Sequence, residues 1–151
     1  IAKVIAVDTV VTPFHVEHDA FNSLGFIIRT SEETLLFAND SKYFKIDTSS
    51  ILLDYVMIEA NYDGQMVHFA YRKALNENNR IEVQRYERIL DAHMSISSAI
   101  KHLRAMNLEN CKAIFLMHLS DRNSNAEKFK LRAHEELGKP VFVCRKNGGL
   151  L

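Results

Sequence analysis

Partway along this chain the apolar pattern changes rhythm. The first forty residues, through "KVIAVDTVVTPFHV", "LGFIIRT" and "TLLFA", are short β-branched and apolar runs, with "RTSEE" marking a turn. They read as successive strands. From "YVMIEAN" onward, buried-type runs alternate with helical spacing. Val67, Ala70, Tyr71 and Ala74 follow Gly64 at that spacing, and Ile96, Ala99, Ile100 and Leu103 share one face behind Ser95, a suitable N-cap. The charged stretch between these two helices reads as a connector. "KAIFLM" is a further buried strand. Ser124 and Glu127 then form an S-x-x-E capping box before a helix on Ala126, Phe129, Ala133 and Leu137, stopped by Gly138 and Pro140. "VFVC" is the last strand. Strands followed by βαβαβ predict an α/β chain with helices on the sheet, in a single domain over 1–151.

Several of these runs end in residues that bind metals or move protons. "PFHV" leads into Glu17, His18 and Asp19, "TLLFA" into Asn39 and Asp40, "YVMI" into Glu59, and "IFLM" into His118. In open α/β sheets ligands gather outside the carboxyl ends of strands, where side chains converge on rigid supports. His, Asp and His from separate strands suit a cation such as Zn²⁺ or Mn²⁺. Acidic residues also end strands simply because loops are solvated, so spacing alone leaves both readings open. Composition narrows the partners. Lys plus Arg (19) equals Asp plus Glu (19), so no overall field draws the chain to nucleic acid or an anionic membrane. Cys111 and Cys144 lack metal-site spacing and read as reduced thiols, and no apolar run has membrane-spanning length. A cytoplasmic protein without a membrane partner is the expectation. The chain also opens at Ile1 already strand-like and without Met, which predicts a portion upstream.

The strings "VTPFHVEHDAFNSLGF", "LLFANDS", "VMIEANYD", "AHMSISSAI" and "IFLMHLSDRNS" occur in an order that resembles the metallo-β-lactamase-fold hydrolases. Within them the chain looks like the branch of tRNase Z, the YycJ-type exonucleases and small phage-type phosphodiesterases. The resemblance covers nearly the whole chain and implies half of an αββα sandwich. It implies that His18, Asp40 and His118 are metal ligands, Asp40 bridging two divalent ions, zinc or, as the other option, manganese. It further implies that Glu59 and His93 assist leaving-group departure, a histidine beside a carboxylate being able to pass a proton to a departing oxygen. Asp19 and Asn61 are expected to orient these groups or shape their loops. Where relatives commonly carry Gly before that histidine, this chain has Ala92.

The family's H-x-H-x-D-H motif is absent; "HVEHDA" is the nearest string, and its His15 is expected to face away from the site. The resemblance is therefore to the C-terminal half of the fold, with the N-terminal metal-motif half not present. The implied activity is metal-dependent hydrolysis of nucleotide phosphodiesters, favouring small cyclic nucleotides. An exonuclease or RNA-processing nuclease is the alternative within the fold, and a non-catalytic fragment needing its other half is the alternative outside it. Relatives of this branch imply a homodimer. His68, His102 and His134, on expected helices, read as ordinary surface or boundary residues, and the Arg72, Lys73, Arg80, Arg85 and Arg88 group as a solvated face.

Overall fold

A computed structural model describes residues 3–6, as backbone, and 8–151. Ile1, Ala2 and Val7 of the strand-like opening lie outside the described residues. The strands are β1 (Lys3–Ala6), β2 (Thr9–Glu17), β3 (Leu24–Arg29), β4 (Thr34–Ala38), β5 (Tyr43–Phe44), β6 (Tyr55–Glu59), β7 (Ala113–Met117) and β8 (Val141–Val143). The helices are α1 (Gly64–Asn76), α2 (Arg80–Ala92), α3 (Ile96–Arg104) and α4 (Ala126–Leu137). The sheet runs β1-β2-β3-β4-β6-β7-β8, with β5 paired to β2. Strands β1 to β4 are antiparallel neighbours; β4, β6, β7 and β8 are parallel. The change of rhythm in the sequence is this change from hairpins to crossovers.

The two faces of the sheet have different fates. Ile27, Leu36, Val56, Ile114 and Val141 stand in register across five strands and are all buried. All but Ile27, together with Ile58, Leu116 and Val143, pack with the apolar stripes of α3 (Ile96, Ala99, Ile100, Leu103) and α4 (Phe129, Ala133) in one core. The opposite face carries Pro13, Phe26, Phe37, Met57, Phe115 and Phe142 in one register row, with Val11, Ile28, Leu35 and Tyr55 in the next. These ten apolar side chains are only partly buried, and no helix among the described residues packs over them. The face is open.

Two local expectations need correction. The supposed connector is helix α2, capped by Asn79, whose side chain accepts from the Glu82 amide. Its apolar stripe is narrow, Val83, Tyr86, Ile89 and Leu90, because it packs on α1 (Val67, Ala70, Tyr71, Ala74) and not on the sheet. The N-cap of α4 is Asn125, which accepts from Lys128 N at 3.0 Å, and not Ser124. The Ser124 hydroxyl donates instead to the Ser120 carbonyl at 2.6 Å, and Asn caps as well as Ser does. Gly138 ends α4 in the left-handed conformation, as its position suggested.

Asp54 ties the start of the parallel strands together. One oxygen accepts the Thr34 amide at 2.8 Å and the other meets Lys112 Nζ at 3.1 Å, while Lys112 also reaches Glu33 at 3.0 Å. The Thr34 amide first, and Lys112 after it, hold the Asp54 carboxyl below its ordinary value against the opposing effect of burial. A depressed carboxyl stabilises the fold above its unfolded pKa, and that contribution disappears as pH falls through the folded value. Asp54→Asn should therefore cost about 1 kcal/mol near neutrality, allowing for solvent screening, and little at a pH below the carboxyl's folded value. Urea denaturation at the two pH values measures this; an equal loss at both would assign the effect to packing and not to charge.

Candidate metal centre

The site forms where three neighbouring parallel strands end. Strand β4 is followed by Asn39 and Asp40, β6 ends on Glu59, and β7 is followed by His118. His93 arrives from the other direction as the C-cap of α2, where the chain turns extended before α3. Asp40 and His118 both have left-handed backbones, φ 47° and 57°. Asp and His tolerate that conformation better than most residues, and it turns the chain sharply at the strand end.

Asp40, Glu59, His93 and His118 each offer one ligand atom within 4.8 Å of all the others. Glu59 is the centre of this group. It is completely buried, and its Oε1 lies 2.8 Å from His93 Nδ1 and 3.3 Å from His118 Nδ1, while Oε2 accepts the Ser41 amide at 2.5 Å. Burial pushes the Glu59 carboxyl up, but the hydrogen bonds from His118, His93 and Ser41 together outweigh it and hold the group below its ordinary value. His118 Nδ1 also lies 3.0 Å from Asp40 Oδ1. The hydrogen bond to Glu59 raises the His118 pKa, with burial working against it. Both imidazoles thus turn Nδ1 toward a carboxylate and leave Nε2 without a hydrogen bond among the described residues. Metal-binding histidines are oriented in the same way, one ring nitrogen on a carboxylate and the other free.

The site is strapped from behind. Asn61 donates from its side chain to the His118 carbonyl at 2.7 Å, and its backbone bonds Met94 O and Ser120 N, both at 2.8 Å. Asn61 therefore fixes the loops after β6, α2 and β7 to one another; it orients the His118 backbone and not its ring. Beside Asp40, the buried Asn39 Oδ1 and Ser41 Oγ have no hydrogen-bond partner. Two carboxylates, two imidazoles and orphaned oxygens nearby fit a divalent cation of the zinc or manganese kind.

His18 stands next to this group without joining it. Its ring centroid is 5.5 Å from that of His93; Nδ1 donates to the Ala92 carbonyl at 3.0 Å, and Nε2 lies 3.0 Å from Asp19 Oδ1. Asp19 in turn accepts from Arg88 at 2.9 Å, and that hydrogen bond is the main reason its carboxyl lies below its ordinary value. The structure therefore brings Asp40 and His118 together as the sequence suggested, adds Glu59 and His93 to the same donor group, and leaves His18 one ring away. Away from the site, His102 stacks on Phe44 and His134 bonds the Lys139 carbonyl. Sequence reasoning overlooked Ser41, whose amide completes the hydrogen bonding of Glu59. It stands beside Asp40 in the string "ANDS", which held the only signal for it.

Both cysteines are free, and no helix among the described residues is long and apolar enough to cross a membrane. No family model matches the chain, and no curated protein matches it. Solved structures do. The metallo-β-lactamase fold protein YhfI from Bacillus subtilis aligns over 98% of this chain with a TM-score of 0.65 and 15% identity. A protein named as a metal-dependent hydrolase from Parabacteroides distasonis aligns over 95%, with a TM-score of 0.60 and 12% identity. Zn²⁺-bound PqqB from Methylobacterium extorquens aligns over 100%, with a TM-score of 0.58 and 14% identity. The chain spans only about half of each, 51%, 54% and 52%. A mixed sheet with one helix-covered face, matched at that extent, has the architecture of one half of the metallo-β-lactamase fold.

Proposed function

We propose that the protein is a metal-dependent hydrolase of nucleotide phosphodiesters. The observation that supports this most is the Asp40–Glu59–His93–His118 donor group at the carboxyl ends of three parallel strands. The names of two structural neighbours, one a metal-dependent hydrolase and one zinc-bound, agree with it. Asp40 and the free Nε2 of His118 would hold the cation, with His18 and Asp19 beside them for a second. A cation bound there supplies positive charge against a phosphate oxygen and acidifies water. The chain's own groups do the rest. Glu59 fixes the His93 ring, so that Nε2 can pass a proton to the departing oxygen. Asn61 keeps the His118 loop from drifting, which matters because misplacement of about 1 Å costs about 10²-fold in rate.

The partly buried apolar face favours a second reading alongside the first. A half-sandwich with ten such side chains open to solvent works as a hydrolase only when another half covers it. Until then it is a non-catalytic piece.

Metal binding tests the assignment directly. After dialysis against Zn²⁺ and gel filtration, the protein should retain metal, and His118→Ala and Asp40→Ala should each weaken retention by about 10-fold or more. Retention by both variants equal to that of the unsubstituted protein would move the centre elsewhere. Hydrolysis of bis(p-nitrophenyl) phosphate by the covered protein tests the reaction class.

A further inference from the structure

Two grooves meet at His118. One, of about 470 Å³, runs between α2 and the loop after β7, and His93, His118 and Arg122 line it. The other, of about 660 Å³, lies against the same loop on the side of the C-terminal turn, lined by Asn39, His118 and Arg145. They share His118, Leu119, Ser120, Asp121 and Lys146 as a common wall.

The cations in these grooves are not equivalent. Lys146 is bonded to Asp121, and Arg85 is held by both oxygens of Glu82, at 3.0 and 2.8 Å. On the His18 side, Arg88 and Lys42 are paired with Asp19 and Asp91. Arg122 and Arg145 are exposed, and neither forms an ion pair among the described residues. One uncompensated guanidinium therefore stands in each groove, with His118 of the donor group on the wall they share. A guanidinium fork matches a phosphate's oxygens in shape as well as charge.

We infer that Arg122 and Arg145 are specificity-determining residues, each holding a phosphate that flanks the reacting one. The substrate is then a linear chain of phosphodiesters lying through both grooves. A cyclic mononucleotide has one phosphate and cannot engage either arginine while it sits on the donor group. The inference rests on the phosphodiesterase reading for its reacting phosphate, but its test does not depend on turnover.

The test is fluorescence anisotropy of a fluorescein-labelled single-stranded hexathymidylate with excess Mn²⁺, across a salt series. Arg122→Ala and Arg145→Ala should each weaken binding about 3- to 10-fold and reduce the salt slope by about 0.7. Lys101→Ala, exposed on α3 and lining neither groove, should bind as the unsubstituted protein does. Competition by a 3′,5′-cyclic nucleotide should be insensitive to both arginine substitutions. The inference fails if the hexanucleotide does not bind, if the arginine variants match Lys101→Ala, or if cyclic and linear ligands weaken by the same factor. Arginine-dependent binding without hydrolysis in the covered protein would leave this inference standing and remove the phosphodiesterase reading instead.

Discussion

His93→Ala is expected to lower phosphodiester turnover by about 10²–10⁴-fold while most of the bound metal remains. The reason lies in what each donor is attached to. Asp40 and His118 are side by side, 3.0 Å apart, on loops that leave β4 and β7, the two strands flanking β6. His93 comes from the end of α2, is oriented by Glu59 at 2.8 Å, and keeps Nε2 free. Such a ring can give up its proton without being needed to hold the cation. Turnover and metal content, measured on the same preparation of the covered protein, decide the matter. If metal and activity fall together, His93 is a ligand; if neither falls, it has no part in the reaction. Glu59→Gln should do more damage, because it loosens both imidazoles and leaves a buried amide opposite the Ser41 N–H.

The second large effect concerns the open face. Purified alone, the 151-residue chain should self-associate and bind a hydrophobic dye, and it should hydrolyse neither cyclic nucleotides nor single-stranded nucleic acid with excess Zn²⁺ or Mn²⁺. Ordinary monomers expose apolar patches on the order of 300–600 Å², and each large aromatic side chain can bury about 150–250 Å². The row Phe26, Phe37, Phe115 and Phe142, with Phe115 and Phe142 stacked at 5.6 Å, is four such side chains on one plane. A charge in the middle of that row, Phe115→Glu, should return the chain to monomer without unfolding it, since the helix-covered core lies on the other face. Light scattering and dye fluorescence provide the readout. A monodisperse, dye-silent chain with full turnover would overturn both the incomplete-sandwich reading and the inactivity expected from it.

How legible the structure was depended on which pattern carried each element. The parallel strands were plain, because "YVMI" and "AIFLM" are unbroken apolar runs that each meet an abrupt polar stop, Glu59 and His118. Helix α2 was hidden. Its apolar residues cluster with α1 and Tyr62 and not with the sheet, so its composition looked like a solvated linker. The cap of α4 slipped by one residue because Ser124 and Asn125 are adjacent and chemically equivalent as caps; only the Ser120 carbonyl, which engages Ser124, separates them. At the site, the strand ends pointed to Asp40, Glu59 and His118, while His93, at the end of α2, came only from the family resemblance. Neither was sufficient to divide ligands from proton carriers. That division depends on which further groups each ring meets, His118 Nδ1 standing 3.0 Å from Asp40 as well as beside Glu59, a matter of side-chain placement that spacing does not encode. Arg122 and Arg145 were invisible for a related reason: a lone arginine gains meaning from the groove it stands in and the carboxylate it lacks.

The parallel pairing of β4, β6 and β7 has a consequence for how the protein comes into being. Asp40 and His118 are far apart in the chain, and nothing local holds them together; they meet only after two crossovers have closed and the strands have paired side by side. Such long-range contacts form slowly and late. During synthesis no donor group exists until β7 has emerged, so a cation has little to grip on the nascent chain. Once the sheet is formed, a cation that prefers it to the unfolded chain shifts the balance by mass action, adding about 2.7 kcal/mol at a hundredfold excess over its dissociation constant. Metal supply then acts as a quality check on folding: chains that pair their strands correctly are retained by the ion, and chains that slip in register by one residue, turning Glu59 to the wrong face, are not.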